Sequence, residues 1–144
     1  MLTLISAETV GLTDKIFDVT IDYTRDRYTF GRPLASYQAL KHQFADLTTW
    51  LETSHAITDE AAAAVAEGTD NAGELARAAK AYVGQFGPQL MHDCVQLHGG
   101  IGLTKEHDLH LYLRRVTTNA MLYGTPAELR QRIADYVQVR EGLV

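Results

Sequence analysis

With 144 residues and 46% apolar content, the chain is long enough for one domain with a single packed core, and nothing in it marks a second. A net charge of -5 and an isoelectric point near 5.6 exclude an electrostatic footprint for a nucleic-acid backbone, and the thirteen Lys and Arg gather in no long basic run. The single cysteine, Cys94, excludes an intrachain disulfide and reads as a small core residue. No run reaches the roughly 20 apolar residues of a bilayer span. No signal-type segment follows Met1, so a cytoplasmic protein without a membrane span is expected.

Three prolines, eleven glycines, many alanines and leucines and few β-branched runs predict an all-α fold. The first helical pattern runs from residue 2 to about 26, with Leu12, Ile16, Val19 and Tyr23 along one face. It begins without a cap signal, as though inside a helix. Phe30-Gly31-Arg32-Pro33 stops it, because Gly permits a left-handed cap and Pro cannot continue.

The second helix starts near Ala35 or Ser36 as cap, carries Tyr37, Leu40, Phe44, Leu47 and Leu51 at three-and-four spacing, and reaches Glu67. Gly68-Thr69-Asp70-Asn71 breaks it. Asp70 or Asn71 is expected to cap the third helix, whose apolar face runs through Leu75, Ala79, Tyr82 and Phe86. Pro88 predicts a kink about one turn earlier, after which the helix resumes and ends at Gly99-Gly100. Residues 104 to about 122 and 126 to about 141 read as two shorter helices. Short connections favour antiparallel neighbours, so the expected architecture is an up-and-down helical bundle of three long helices plus two shorter carboxy-terminal ones.

Two junctions carry polar residues that an ordinary helix end does not require. One is Arg27-Tyr28-Thr29-Phe30-Gly31-Arg32-Pro33, followed by Gln38; the other is Gln96-Leu97-His98-Gly99-Gly100-Ile101-Gly102, followed by Thr104 and Glu106. Glycines let a backbone approach a ligand closely, and exposed amides beside them can meet phosphate oxygens or a base edge. Alone, each junction is equally a glycine cap followed by a tight turn.

Together, in this order and spacing, they resemble the acyl-CoA dehydrogenase family. Its pattern is a tyrosine, Arg-x-x-Phe-Gly-x-Pro and a nearby Gln, then Gln-x-x-Gly-Gly-x-Gly, Thr-x-Glu, an Arg-rich short helix and a Gly-Thr. Here these read Tyr23, Arg27, Phe30, Gly31, Pro33 and Gln38, then Gln96, Gly99, Gly100, Gly102, Thr104, Glu106, Arg115, Gly124 and Thr125. The resemblance spans essentially the whole chain and implies the carboxy-terminal helical domain, which in that family follows an amino-terminal helical and a middle β domain.

The resemblance further implies a half-site for FAD. Arg27 would offer a planar guanidinium to the pyrophosphate. Phe30 would pack on the adenine, and Gln38 would bond near the same arm. Gln96 with the amides at Gly99 and Gly100 would hold the adenosine end of an FAD bound largely by a partner subunit. Thr125, opening the last helix, would sit near the flavin. Homo- or hetero-oligomers with acyl-CoA dehydrogenase subunits, an acyl-CoA substrate and an electron-transfer flavoprotein-like acceptor are what the resemblance implies for the complete enzyme.

The family's reaction uses a glutamate to remove the α-proton of an acyl thioester, usually within Tyr-Glu-Gly-Thr. This chain reads Leu122-Tyr123-Gly124-Thr125, so the base position holds Tyr123 or is deleted. A phenol with an ordinary pKa of about 10 is a poor base near neutral pH. Some relatives carry the base on the first helix, at a point corresponding to Met1, and no carboxylate stands there either. Glu8 reads as a solvated face and Glu128 as an acidic residue favoured by a helix dipole, so no catalytic residue is assigned. His92, His98, His107 and His110 supply no ligand pattern beyond a shared helical face for the last pair, and no metal site is assigned.

Overall fold

The periodic apolar stretches fold as helices. The computed structural model describes residues 1–142, in the order α1 (Leu2–Asp26), β1 (Tyr28–Thr29), β2 (Arg32–Pro33), a 3-10 turn (Leu34–Ser36), α2 (Gln38–Glu67), α3 (Ala72–His98), a second 3-10 turn (Gly99–Leu103), α4 (Leu109–Met121) and α5 (Pro126–Arg140). The expected all-α bundle of three long and two shorter helices is what forms. At its centre α3 packs against every other α-helix.

The core joins Ile16 and Phe17 of α1, Leu47 and Leu51 of α2, Leu90, Met91, Cys94 and Leu97 of α3, and Leu109 and Val116 of α4. Four of the nine buried residues of α1 are threonines. Thr9, Thr13, Thr20 and Thr24 are buried, and each hydroxyl donates to a carbonyl three or four residues back: Ile5 at 2.7 Å, Thr9 and Val10 at 3.0 and 2.9 Å, Ile16 at 2.7 Å and Ile21 at 2.9 Å. Such back-bonding satisfies the hydroxyl while its methyl packs. Gly87 permits the closest approach of three helices, since a Cβ there would stand 3.1 Å from the Thr9 methyl and 3.4 Å from Val116.

Several boundaries differ from expectation, each for a local reason. Ser36 does not cap α2; its hydroxyl donates to the Pro33 carbonyl at 2.7 Å, and the helix begins at Gln38. Asn71 occupies the cap position of α3 without capping it, because its Oδ1 accepts from the Thr69 hydroxyl at 2.9 Å. α3 continues through Pro88 to His98. α4 begins at Leu109 rather than near 104, where the Leu109 amide donates to His107 Nδ1 at 3.2 Å.

The stop after α1 is a small antiparallel pair, with Tyr28 opposite Pro33 and Thr29 opposite Arg32. Its two central residues, Phe30 and Gly31, have φ of 52° and 79°. Two successive positive φ values match the type I′ turn that suits a right-twisted hairpin, and the first falls on a residue other than glycine.

Candidate functional site

Three helix ends meet at one end of the bundle: the finish of α1, the start of α2 and the finish of α3. Tyr23 ties α1 to α3, its ring stacked on His98 with centroids 4.5 Å apart and its hydroxyl donating to the His98 carbonyl at 3.2 Å. The hairpin is held by the Leu34 amide donating to the Arg27 carbonyl at 2.8 Å and by the Tyr37 hydroxyl donating to the Thr29 carbonyl, also at 2.8 Å. Arg32 lies over the Tyr37 ring at 3.8 Å, a cation–π contact.

This frame displays the sequence-predicted residues and leaves their side chains free. Arg27 is exposed, and among the described residues its guanidinium has no hydrogen-bond or ion-pair partner. Phe30 is 93% exposed, an unusual state for a phenylalanine. Gln38 and Gln96 are exposed, as are Gly99 and Gly100. A Cβ built at either glycine would meet nothing within 4 Å, so the backbone there faces open space. Gly102 has a different role. A Cβ on it would stand 2.9 Å from both the Val95 carbonyl oxygen and the His98 Cβ, so this glycine is required for packing.

His98, buried beneath the glycine turn, donates from Nδ1 to the Cys94 carbonyl, 2.8 Å away, while its Nε2 has no partner among the described residues. Burial, more than any other influence, pushes its pKa below the usual histidine value. His107 meets it edge-on with centroids 4.8 Å apart. Among the described residues no group of three His, Cys, Asp or Glu side chains is placed to hold a metal ion.

Thr125 is not at this end. The residue after it, Pro126, lies against Gly84 of α3, with 3.2 Å separating its ring from a Cβ built there. From Gly84 to His98 the helix rises about 20 Å. Arg27, Phe30, Gln38, Gln96, Gly99 and Gly100 therefore share one end of the bundle, and Thr125 belongs to a second region.

That second region is densely bonded. Thr125 caps α5 in a reciprocal box: its hydroxyl oxygen accepts from the Glu128 amide at 3.3 Å, and Glu128 Oε2 accepts from the Thr125 amide at 2.8 Å and hydroxyl at 2.9 Å. The Thr125 amide, followed by its hydroxyl, holds the Glu128 carboxyl below the usual range. Tyr123 has φ of 60° and is 58% exposed; Gly124 follows with φ of 115°.

Glu8 lies on an exposed face, as the sequence reading has it, and is in addition a tethered carboxylate. Its oxygens accept from Arg115 Nε at 2.8 Å, Arg115 Nη2 at 3.0 Å and Asn119 Nδ2 at 3.1 Å. The Arg115 bonds first, and Asn119 with them, hold its carboxyl below the usual range. A carboxylate so stabilised is a weaker proton acceptor.

Sequence reasoning missed Asn119 and Lys80. Asn119, 1% exposed, also donates to the Thr9 hydroxyl at 3.1 Å and links α4 to α1. Lys80, also 1% exposed, donates from Nζ to the Ala120 carbonyl at 3.0 Å and the Gly124 carbonyl at 3.4 Å. Burial pushes its pKa below the ordinary lysine value. One sequence signal existed: Lys80 stands in an alanine-rich helix with Ala76, Arg77, Val83 and Gly84 at the positions where a helical acidic partner would be.

The chain matches the family of the acyl-CoA dehydrogenase C-terminal domain over residues 3–138. It is 35% identical over 130 residues to acyl-CoA dehydrogenase IpdE2 of Mycolicibacterium smegmatis, covering 90% of this chain and 40% of that protein. It is 31% identical over 133 residues to the rat mitochondrial short/branched chain specific acyl-CoA dehydrogenase, covering 92% and 31% respectively.

Among solved structures, the Tcur3481-Tcur3483 steroid ACAD superposes with a TM-score of 0.90 at 28% identity, over 99% of this chain and 38% of that one. The ChsE4-ChsE5 complex of Mycobacterium tuberculosis gives 0.89 at 26%, over 94% and 37%. PigA with FAD and proline, at 22% identity and a TM-score of 0.90 over 96% and 36%, shares the fold. The protein belongs to the acyl-CoA dehydrogenase family and corresponds to its C-terminal helical domain. It spans about two-fifths of the length of the IpdE2 relatives. Among the described residues no helix is long and apolar enough to cross a membrane.

Proposed function

We propose that this chain completes an FAD site and a subunit interface in an acyl-CoA dehydrogenase, the α,β-dehydrogenation of acyl-CoA thioesters, without supplying the proton-abstracting carboxylate. The observation that carries this reading is the open end of the bundle. There an unpaired guanidinium, two exposed carboxamides and a glycine turn facing open space share one surface. Those donors fit a dinucleotide chemically: Arg27 suits a pyrophosphate, the flat face of Phe30 suits an adenine, and Gln38, Gln96 and the amides at Gly99 and Gly100 suit base and ribose edges. FAD, when bound, supplies the hydride acceptor. Thr125 offers the start of α5 to the flavin from the second region.

The absent base rests on Tyr123 at its position and on the engagement of both nearby carboxylates, Glu8 by Arg115 and Glu128 by Thr125. Joined to the amino-terminal helical and β domains, or to a subunit bearing them, the chain is expected to form a yellow, FAD-retaining assembly, whereas the chain alone is colourless. Arg27→Ala and Gln96→Ala should each lower flavin retention in that assembly at least tenfold while leaving the helical circular dichroism intact. Retention equal to the parent in both variants sinks the reading.

A second reading makes the chain a non-catalytic scaffold subunit in a mixed complex. The tyrosine in place of glutamate favours it, as do the two-component names Tcur3481-Tcur3483 and ChsE4-ChsE5 among its structural relatives. Turnover that survives Tyr123→Phe and is abolished by removing a glutamate from a co-purifying partner supports this reading; an active homo-oligomer excludes it. A helical oligomerisation module without ligand remains the outcome if no assembly binds flavin.

A further inference from the structure

Lys80 is the one fully buried charged side chain among the described residues, and the flavin reading gives it no role. Its ammonium has three donors. Two meet carbonyls on either side of a single turn: Ala120 in the last turn of α4 and Gly124 just before α5. No carboxylate pairs with it among the described residues. Burying an unpaired charge costs far more than burying a methionine of similar length, so packing alone does not explain a lysine here.

The surroundings are shaped to it. Gly84, one turn along α3, leaves room for Nζ: a Cβ on it would stand 3.4 Å from that atom and 3.2 Å from Pro126. The turn that Lys80 grips is itself under constraint. Tyr123 holds a positive φ without being glycine, and Gly124 holds one with Leu129 3.3 Å from where a Cβ would be. A bulky aromatic keeps a left-handed backbone only where neighbours over-determine it. Downstream, the Thr125–Glu128 box fixes the turn to α5; upstream, the cation meets the carbonyl end of α4, where positive charge is favoured.

The geometry points to Lys80 as the positioning residue of the α4–α5 turn: by clasping the Ala120 and Gly124 carbonyls it sets the left-handed backbone at Tyr123 and so fixes where the Tyr123 phenol and Thr125 amide face. The importance of that aim rests on the flavin reading given above; the clasp itself does not require flavin. It acts from a buried position through two backbone carbonyls, so it differs from the exposed cations at the opposite end.

The test uses the isotope-labelled 144-residue chain and Lys80→Met, which keeps the length of the stem and removes the charge. The expected result is a folded helical protein in which backbone shifts change over residues 120–125, the Tyr123 couplings no longer report a positive φ, and amide exchange at Gly124 and Thr125 accelerates at least tenfold. A lysine that only fills space lowers the melting temperature while leaving those shifts in place, and that result overturns the proposal. If Lys80→Met does not fold, the parent chain answers through its own ammonium resonance. A slowly exchanging ammonium with contacts to Ala120 and Gly124 supports the clasp, and rapid exchange without them overturns it. A turn that moves while the flavin absorption band of a loaded assembly does not counts against Thr125 facing the flavin, not against the clasp.

Discussion

The two ends of the bundle solve opposite problems. At the end carrying Arg27, Phe30, Gln38, Gln96, Gly99 and Gly100, the backbone is firmly held by Tyr23, His98 and Tyr37, but the displayed side chains have few partners. At the end carrying Glu8, Lys80, Arg115, Asn119 and Thr125, each of these five side chains is hydrogen-bonded within the chain, with the buried Oδ1 of Asn119 left without a partner among the described residues. Unspent hydrogen-bonding capacity on a rigid frame is what a binding surface needs. A satisfied network instead fixes its own geometry.

Substitutions that sort residues by end sharpen this contrast. The largest expected effect comes from Gly102→Ala, whose Cβ must displace backbone at Val95. A loss of about 1–3 kcal/mol in chemical denaturation is expected, whereas Gly100→Ala, facing open space, should leave the midpoint nearly unchanged. Equal losses from both would erase the distinction between packing glycine and displayed glycine. Next, Thr125→Ala removes the cap of α5 and should cost about 1 kcal/mol at neutral pH, measured by urea titration.

Glu8→Gln is smaller, ~0.5 kcal/mol, because the pair with Arg115 is solvent-exposed and screened. Its sign follows from the lowered carboxyl pKa: the stabilisation is present at neutral pH and is lost as pH falls through the folded-state value. The difference between parent and variant should therefore vanish in acid and shrink in high salt. A difference that persists at low pH would mean that packing around Asn119, not charge, is what the glutamate supports. Smallest of all, Arg27→Ala should leave the melting temperature of the chain where it was, because its side chain is exposed and its guanidinium has no hydrogen-bond or ion-pair partner among the described residues.

The helices were legible because their apolar residues recur at helical spacing and because Gly31, Gly68 and Gly99 punctuate them at the expected places. The buried stripe of α1 was less so. Thr9, Thr13, Thr20 and Thr24 look polar to a hydropathy pattern, yet each buries its methyl and turns its hydroxyl back on its own helix. The hairpin at residues 28–33 was hidden because Phe30 has no intrinsic preference for a left-handed backbone.

At the candidate site, the residues of the two junctions were readable as local patterns, but that both junctions share one end of the bundle and Thr125 lies away from it was not. Thr125 closes the pattern that Tyr23 and Arg27 open, and its neighbour Pro126 lies against Gly84, about 20 Å along α3 from His98. The partners of Glu8 were hidden for a related reason. Nothing near residue 8 in the chain announces Arg115 and Asn119, which reach it only after α4 has folded back along α1. Lys80 likewise finds its acceptors forty residues away.

Cys94 turns the core into its own reporter. The thiol lies fully enclosed between α1, α2 and α4, and burial raises its pKa to about 11. Almost no thiolate exists at neutral pH, and no alkylating reagent can reach the sulfur while the helices stay packed. Modification of this one atom, followed by mass, therefore times the opening of the bundle without any engineered label, and a subunit or flavin that braces the domain should slow that clock in proportion to the closure it adds.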